Sequence, residues 1–242
     1  MIAANVRDRF TREDANLVLA LLDQVGSAAG ADGEARMRDG GMDGLLDDPR
    51  VLSALMTVRL AEQTSLPLFA YVVARHALLQ LGEDDRALAD YTASVLLHFG
   101  LRDRAIRVSD ADDETYDTLV GLLSAVAGPD ARRNFLVRAH LGNYALWLAG
   151  LFPDYIESRR FKRGGPDLDY FDEVGRRGFQ LAAEHRLSAE HGLTVLFTRA
   201  AERFPVMRMA LNRVSDTLLF PGVSSPERVM RQVRDEVRWK VA

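Results

Sequence analysis

Apolar residues recur along most of this chain at steps of three and four, the spacing that lines one face of an α-helix. Leu17, Leu21 and Leu22 show it, as do Val51, Leu52, Leu55 and Val58, and again Leu119, Leu122, Leu123 and Val126. No segment sustains the alternation of a half-buried strand. Glycine and proline interrupt the pattern where helix ends belong: Gly26, Pro67, Gly82, Gly100, Gly128-Pro129, Pro153, Gly164-Gly165-Pro166, Gly192, Pro205 and Pro221-Gly222. This punctuation predicts an all-α fold, a single compact multi-helix bundle of roughly nine to eleven helices of ordinary length. No self-similarity at a fixed period accompanies it, so a regular repeat solenoid is not expected.

With 242 residues, 48% of them hydrophobic, the chain is long enough to bury one substantial core, and a single domain over 1–242 is expected. Residues 26–47 stand apart. Gly26, Gly30, Gly33, Gly40, Gly41 and Gly44 fall there among small and charged residues, a composition that predicts a mobile Gly-rich surface loop, with a lid over a site as the alternative.

A net charge of −4 argues against a general nucleic-acid binder, which needs a basic excess to neutralise phosphates. Of 31 basic residues only Lys162 and Lys240 are lysine, a bias expected from genome composition. The chain loosely resembles helical proteins of high-GC bacteria, and that resemblance implies no residue roles. Without cysteine there is no disulfide, thiolate nucleophile or cysteine-ligated metal. The N-terminus lacks the charged and apolar segments of a signal peptide, and Leu66–Leu81 and Leu141–Phe152 are too interrupted or too short to span a bilayer. A soluble, cytoplasmic protein with no membrane span is expected.

Chemistry-bearing motifs are sparse. None of His76, His98, His140, His185 and His191 has a carboxylate or a second histidine three or four residues away, so no helical metal pair is expected and no cofactor is implied. Asp113 and Asp117 have the spacing that holds magnesium against a diphosphate, as in isoprenoid-type enzymes, and Asp169 and Glu173 repeat it. Both pairs also lie where a helix start favours acids. Phosphate-binding loops and nucleophile elbows are absent.

The segment His140–Arg186 is denser in polar and aromatic residues. Arg159, Arg160, Lys162 and Arg163 close the helix opened by Pro153. Asp167 then caps the next helix, where Asp172 and Glu173 sit four residues before Arg176 and Arg177. Gly142, Ala145 and Ala149, with Gly175, Gly178 and Ala182, form two small-residue stripes that suit close helix packing or a ligand against backbone. His140, Asn143, Tyr144 and Trp147 form one polar-aromatic stripe, which Tyr155, Tyr170 and His185 are placed to approach. Its partners are either Asp154 and Asp167, in a structural network, or a small anionic ligand clamped by Arg159 or Arg160.

The last helix opens with Ser224 and Glu227 at capping-box spacing and Pro226 in its first turn. Val229, Met230, Val233 and Val237 share one face. Arg228, Arg231, Arg234 and Arg238 share the other, expected to be a solvated flank or a surface for an anionic membrane or acidic partner. Three functions follow in order: a non-catalytic protein acting through a protein partner or as a homo-oligomer; a binder or enzyme for a small anionic molecule at the His140 stripe; and a magnesium-dependent diphosphate enzyme.

Overall fold

A computed structural model describes residues 4–58, 62–100, 105, 107–108, 114–116, 118–126 and 130–241. Asp113, Asp117 and the Gly128-Pro129 break lie outside the described residues. Among those described the fold is all-α, with thirteen α-helices and one isolated antiparallel bridge between Arg107 and Thr115. The count exceeds the expected range because the glycine-rich segment is helical and because residues 168–190 divide into two helices at Glu184 and His185.

Where the sequence suggested one domain, the contacts fall into two compact units, residues 2–97 and residues 98–242. The first holds α1 (Arg12–Val25), α2 (Ser27–Leu46), α3 (Pro49–Thr57), α4 (Leu66–Leu79) and most of α5 (Arg86–Phe99). In α1 the side chains of Thr11 and Asp14 cap each other's backbone amides, and Val18, Leu21 and Leu22 are buried. Residues 27–46 correct the loop expectation. Gly33 is buried, and a Cβ there would come 2.7 Å from Leu22 Cδ1, so this glycine admits a close α1–α2 contact. Only at Gly41, with φ +62°, does the helix kink.

The apolar run of α4 is a core helix buried on nearly every side. Two of its polar exceptions, Arg75 and His76, are bonded to neighbouring elements, while the Tyr71 hydroxyl and Arg75 Nη1 are buried without a hydrogen-bond partner among the described residues. Arg75 reaches Asp47 through Nε at 2.7 Å and also engages Asp84, while His76 Nε2 donates to the Leu46 carbonyl at 2.9 Å.

The second unit contains α6 (Leu119–Ala125), α7 (Ala131–Leu151), α8 (Pro153–Arg163), α9 (Leu168–Ala183), α10 (Arg186–Glu190), α11 (Thr194–Glu202), α12 (Phe204–Val214) and α13 (Pro226–Val241). Its centre is α7, packed most extensively on α9 and then on α12. The two small-residue stripes meet there. A Cβ on Gly178 would stand 2.6 Å from the Gly142 backbone nitrogen, and one on Gly142 would stand 2.5 Å from the Phe179 ring. Close packing, rather than exposed backbone, explains these glycines. Asp167 caps α9 as expected, accepting from the Tyr170 amide at 3.0 Å, and Gly164 closes α8 in the left-handed conformation.

Candidate functional site

The stripe on α7 is assembled as the spacing predicted, but it is packed into the second unit. His140, Asn143 and Tyr144 are buried and Trp147 is half-buried. The His140 and Tyr144 rings stack at 6.2 Å and those of Tyr144 and Trp147 at 6.0 Å. Phe99 lies edge-on to both His140 and Trp147. His140 Nε2 donates to the carbonyl oxygen of Ala105 at 2.9 Å. A carbonyl only accepts, so that nitrogen carries the proton. Burial lowers the imidazole pKa to about 4, leaving the ring neutral and weakly basic near pH 7.

The residues expected to complete a pocket are engaged elsewhere. Exposed Tyr155 receives a 3.3 Å hydrogen bond from Arg159 Nη1, whose guanidinium also lies over the ring. Arg160 stands 3.9 Å from Glu157 and over the exposed Phe161 ring. Tyr170 is edge-on to Phe171. His185 caps α10 and stacks on Phe135. Asp154 and Asp167, the expected network partners, serve α13 and the α9 cap instead.

Sequence reasoning missed a polar spine on α12. Arg208, Asn212 and Ser215 share one helical face and are all buried. Asn212 Nδ2 donates to the carbonyls of Ala149 and Gly150 at 2.7 and 2.8 Å, and Ser215 Oγ donates to that of Leu151 at 2.7 Å. These are the carbonyls that the end of α7 leaves without helical partners. Arg208 pairs through Nε with Asp172 at 2.8 Å and through Nη2 with Asp235 of α13 at 3.2 Å. Asp172 therefore turns inward to Arg208 rather than along α9 to Arg176. Burial raises the Asp172 pKa against the pull of that guanidinium. For Arg208, burial works to lower the pKa, but Asp172 and Asp235 outweigh it and the charge is held.

An open cleft of about 740 Å³ borders this spine. Its rim carries Asp169, Glu173 and Glu202 against Arg176 and Arg203, and Arg208 at its wall is already committed to carboxylates. That balance does not select for a small anion. Among the described residues no cluster of three His, Cys, Asp or Glu side chains could hold a metal ion, and no helix is long and apolar enough to cross a membrane.

The least ordinary surface belongs to α13. Its cap is Ser225, whose Oγ accepts from the Arg228 amide at 3.1 Å, one residue later than the expected Ser224; Pro226 begins the helix as anticipated. The inner part of its basic face is not solvated, while Arg234 is half-buried and the Arg238 side chain lies outside the described residues. Arg228 and Arg231 are 5% and 1% exposed. Arg228 Nε donates to Asp154 at 2.7 Å, Arg231 Nη2 to Asp216 at 2.7 Å, and Arg234 Nη2 to Glu157 at 2.8 Å. Consequently Val229, Met230, Val233 and Val237 face outward, at least half exposed and 67% in the case of Met230. Arg228 and Arg231, already buried against acids, cannot serve an anionic membrane or acidic partner.

No protein family, curated protein or solved structure matches the chain.

Proposed function

We propose that this is a non-catalytic helical protein that acts through protein–protein contact made by the outer face of α13. The observation carrying the proposal is the orientation of that helix, with charge packed inward and its apolar stripe in water. Amphipathic helices ordinarily bury the apolar stripe. Here complementary acids on α8 and after α12 hold the opposite face, so the stripe is presented to solvent as a continuous patch. Patches of this kind mark interaction sites on folded proteins.

Support also comes from the His140 stripe, whose rings contact one another and whose imidazole is bonded to backbone. Substituting Val233→Asp should leave circular dichroism unchanged, because the side chain is already more than half exposed. It should abolish the associations of the wild-type protein in sizing and capture experiments. Retention of every such association would overturn the proposal.

A further inference from the structure

We propose that the occupant of this face is a second copy of the chain, with α13 packed antiparallel against α13 across a two-fold axis near Met230. This inference rests on reading α13 as the interaction surface. Met230, Val233 and Val237 follow one another at steps of three and four, the seam spacing of paired helices. Glu227 and Arg234 lie on one edge of that seam, two turns or about 10.5 Å apart. Arg234 holds Glu157 at 2.8 Å yet keeps 35% of its side chain exposed. A two-fold axis between the two positions sets each Glu227 opposite that exposed part of Arg234 of the other copy, so the edge is complementary to itself, as a symmetric dimer requires.

Size supports the same occupant. The exposed parts of Val229, Met230, Val233, Val237 and neighbouring Phe161 amount to roughly 500 Å² per copy, so a pair covers about 1,000 Å², the lower bound for a specific interface. Beside the seam, Phe161, Met230 and Val233 line an open apolar groove of about 450 Å³ between α8 and α13, which can receive side chains of the facing helix. A lipid surface fits less well. Glu227 and Glu236 flank the stripe on its two edges and would be driven toward anionic headgroups.

Sedimentation velocity on the full chain, from micromolar to near-millimolar concentration, should show a monomer passing into a dimer. Val233→Asp should abolish the dimer, with Val233→Ser as a milder second variant. Glu227→Arg should weaken it about tenfold. The native chain has no cysteine, so single introduced thiols report geometry cleanly. Met230→Cys lies near the axis and should form an intermolecular disulfide under mild oxidation. Val237→Cys should not, because antiparallel packing puts its two copies about 20 Å apart along the helices.

A wild-type chain that stays monomeric throughout overturns the inference, as does a dimer indifferent to Val233→Asp or one in which both thiols cross-link equally. A monomer that still holds a distinct protein, lost on Val233→Asp, overturns the second-copy inference and leaves the interaction reading standing. A monomer that instead floats with phosphatidylserine vesicles overturns both.

Discussion

Arg208 Nη1 donates to Asn212 Oδ1 at 2.7 Å, and this single bond fixes which end of the Asn212 amide faces α7. With its oxygen held by the guanidinium, the amide nitrogen is left to donate to the Ala149 and Gly150 carbonyls. The same guanidinium reaches Asp235, so the end of α7 and the middle of α13 are joined through the two side chains Asn212 and Arg208.

Replacing Asn212 by alanine should therefore cost more than one average hydrogen bond. Two buried carbonyls and one buried N–H would lose their partner together, for a loss of about 3 kcal/mol in urea unfolding. Asn212→Asp should be worse still. It preserves the bond to Arg208 but turns an oxygen toward two carbonyl oxygens.

Arg231→Ala should release α13 locally. Its guanidinium is buried between Asp216 and Asp154, and truncating one side of a buried pair costs about 3 kcal/mol. Amide hydrogen exchange in α13 should accelerate by about a hundredfold or up to its own undocking limit, while α7 stays protected. Equal acceleration in both helices would mean that α13 does not open separately.

The helices and most of their ends were legible because their signals are local: Asp167 before α9, Gly164 after α8 and Pro226 at the start of α13 act within a turn of their own position. What was not legible depended on partners far along the chain. The glycines of α2 carry the same composition whether they loosen a loop or admit Leu22, and only the packing of α1 decides. The orientation of α13 hangs on Asp154, more than seventy residues away. His140 was visible as part of a stripe, but its partner is the main-chain carbonyl of Ala105, which leaves no trace in residue type. Arg208, Asn212 and Ser215 did leave one, three polar residues at steps of four and three along a stretch that is apolar apart from Arg213.

Acid should weaken the second unit through His140. Its pKa falls from about 6.5 in the unfolded chain to about 4 in the fold, so the unfolded state binds a proton first as pH drops. The stabilisation is present above pH 6.5 and is lost as pH falls toward 4. Between pH 7 and pH 5 the loss from this group is about 2 kcal/mol. Urea midpoints of wild type should shift accordingly, and His140→Gln, which keeps a donor but does not titrate, should flatten the dependence. An unchanged slope in that variant would assign the acid sensitivity to another group.

Alanine scanning of two glycines should give opposite signs. Gly40 lies in α2 with open space around the position a Cβ would take, so Gly40→Ala should stabilise by about 0.5–1 kcal/mol through helix propensity. Gly178→Ala gains the same propensity but sets its methyl 2.6 Å from the Gly142 backbone, and backbone cannot rotate aside as a side chain can. Helices α7 and α9 would have to separate, which breaks contacts along the largest interface of the unit, at a net cost of about 1–3 kcal/mol. Thermal midpoints measured side by side resolve the two signs. Stabilisation by both substitutions would show that α9 can shift away from α7 without loss.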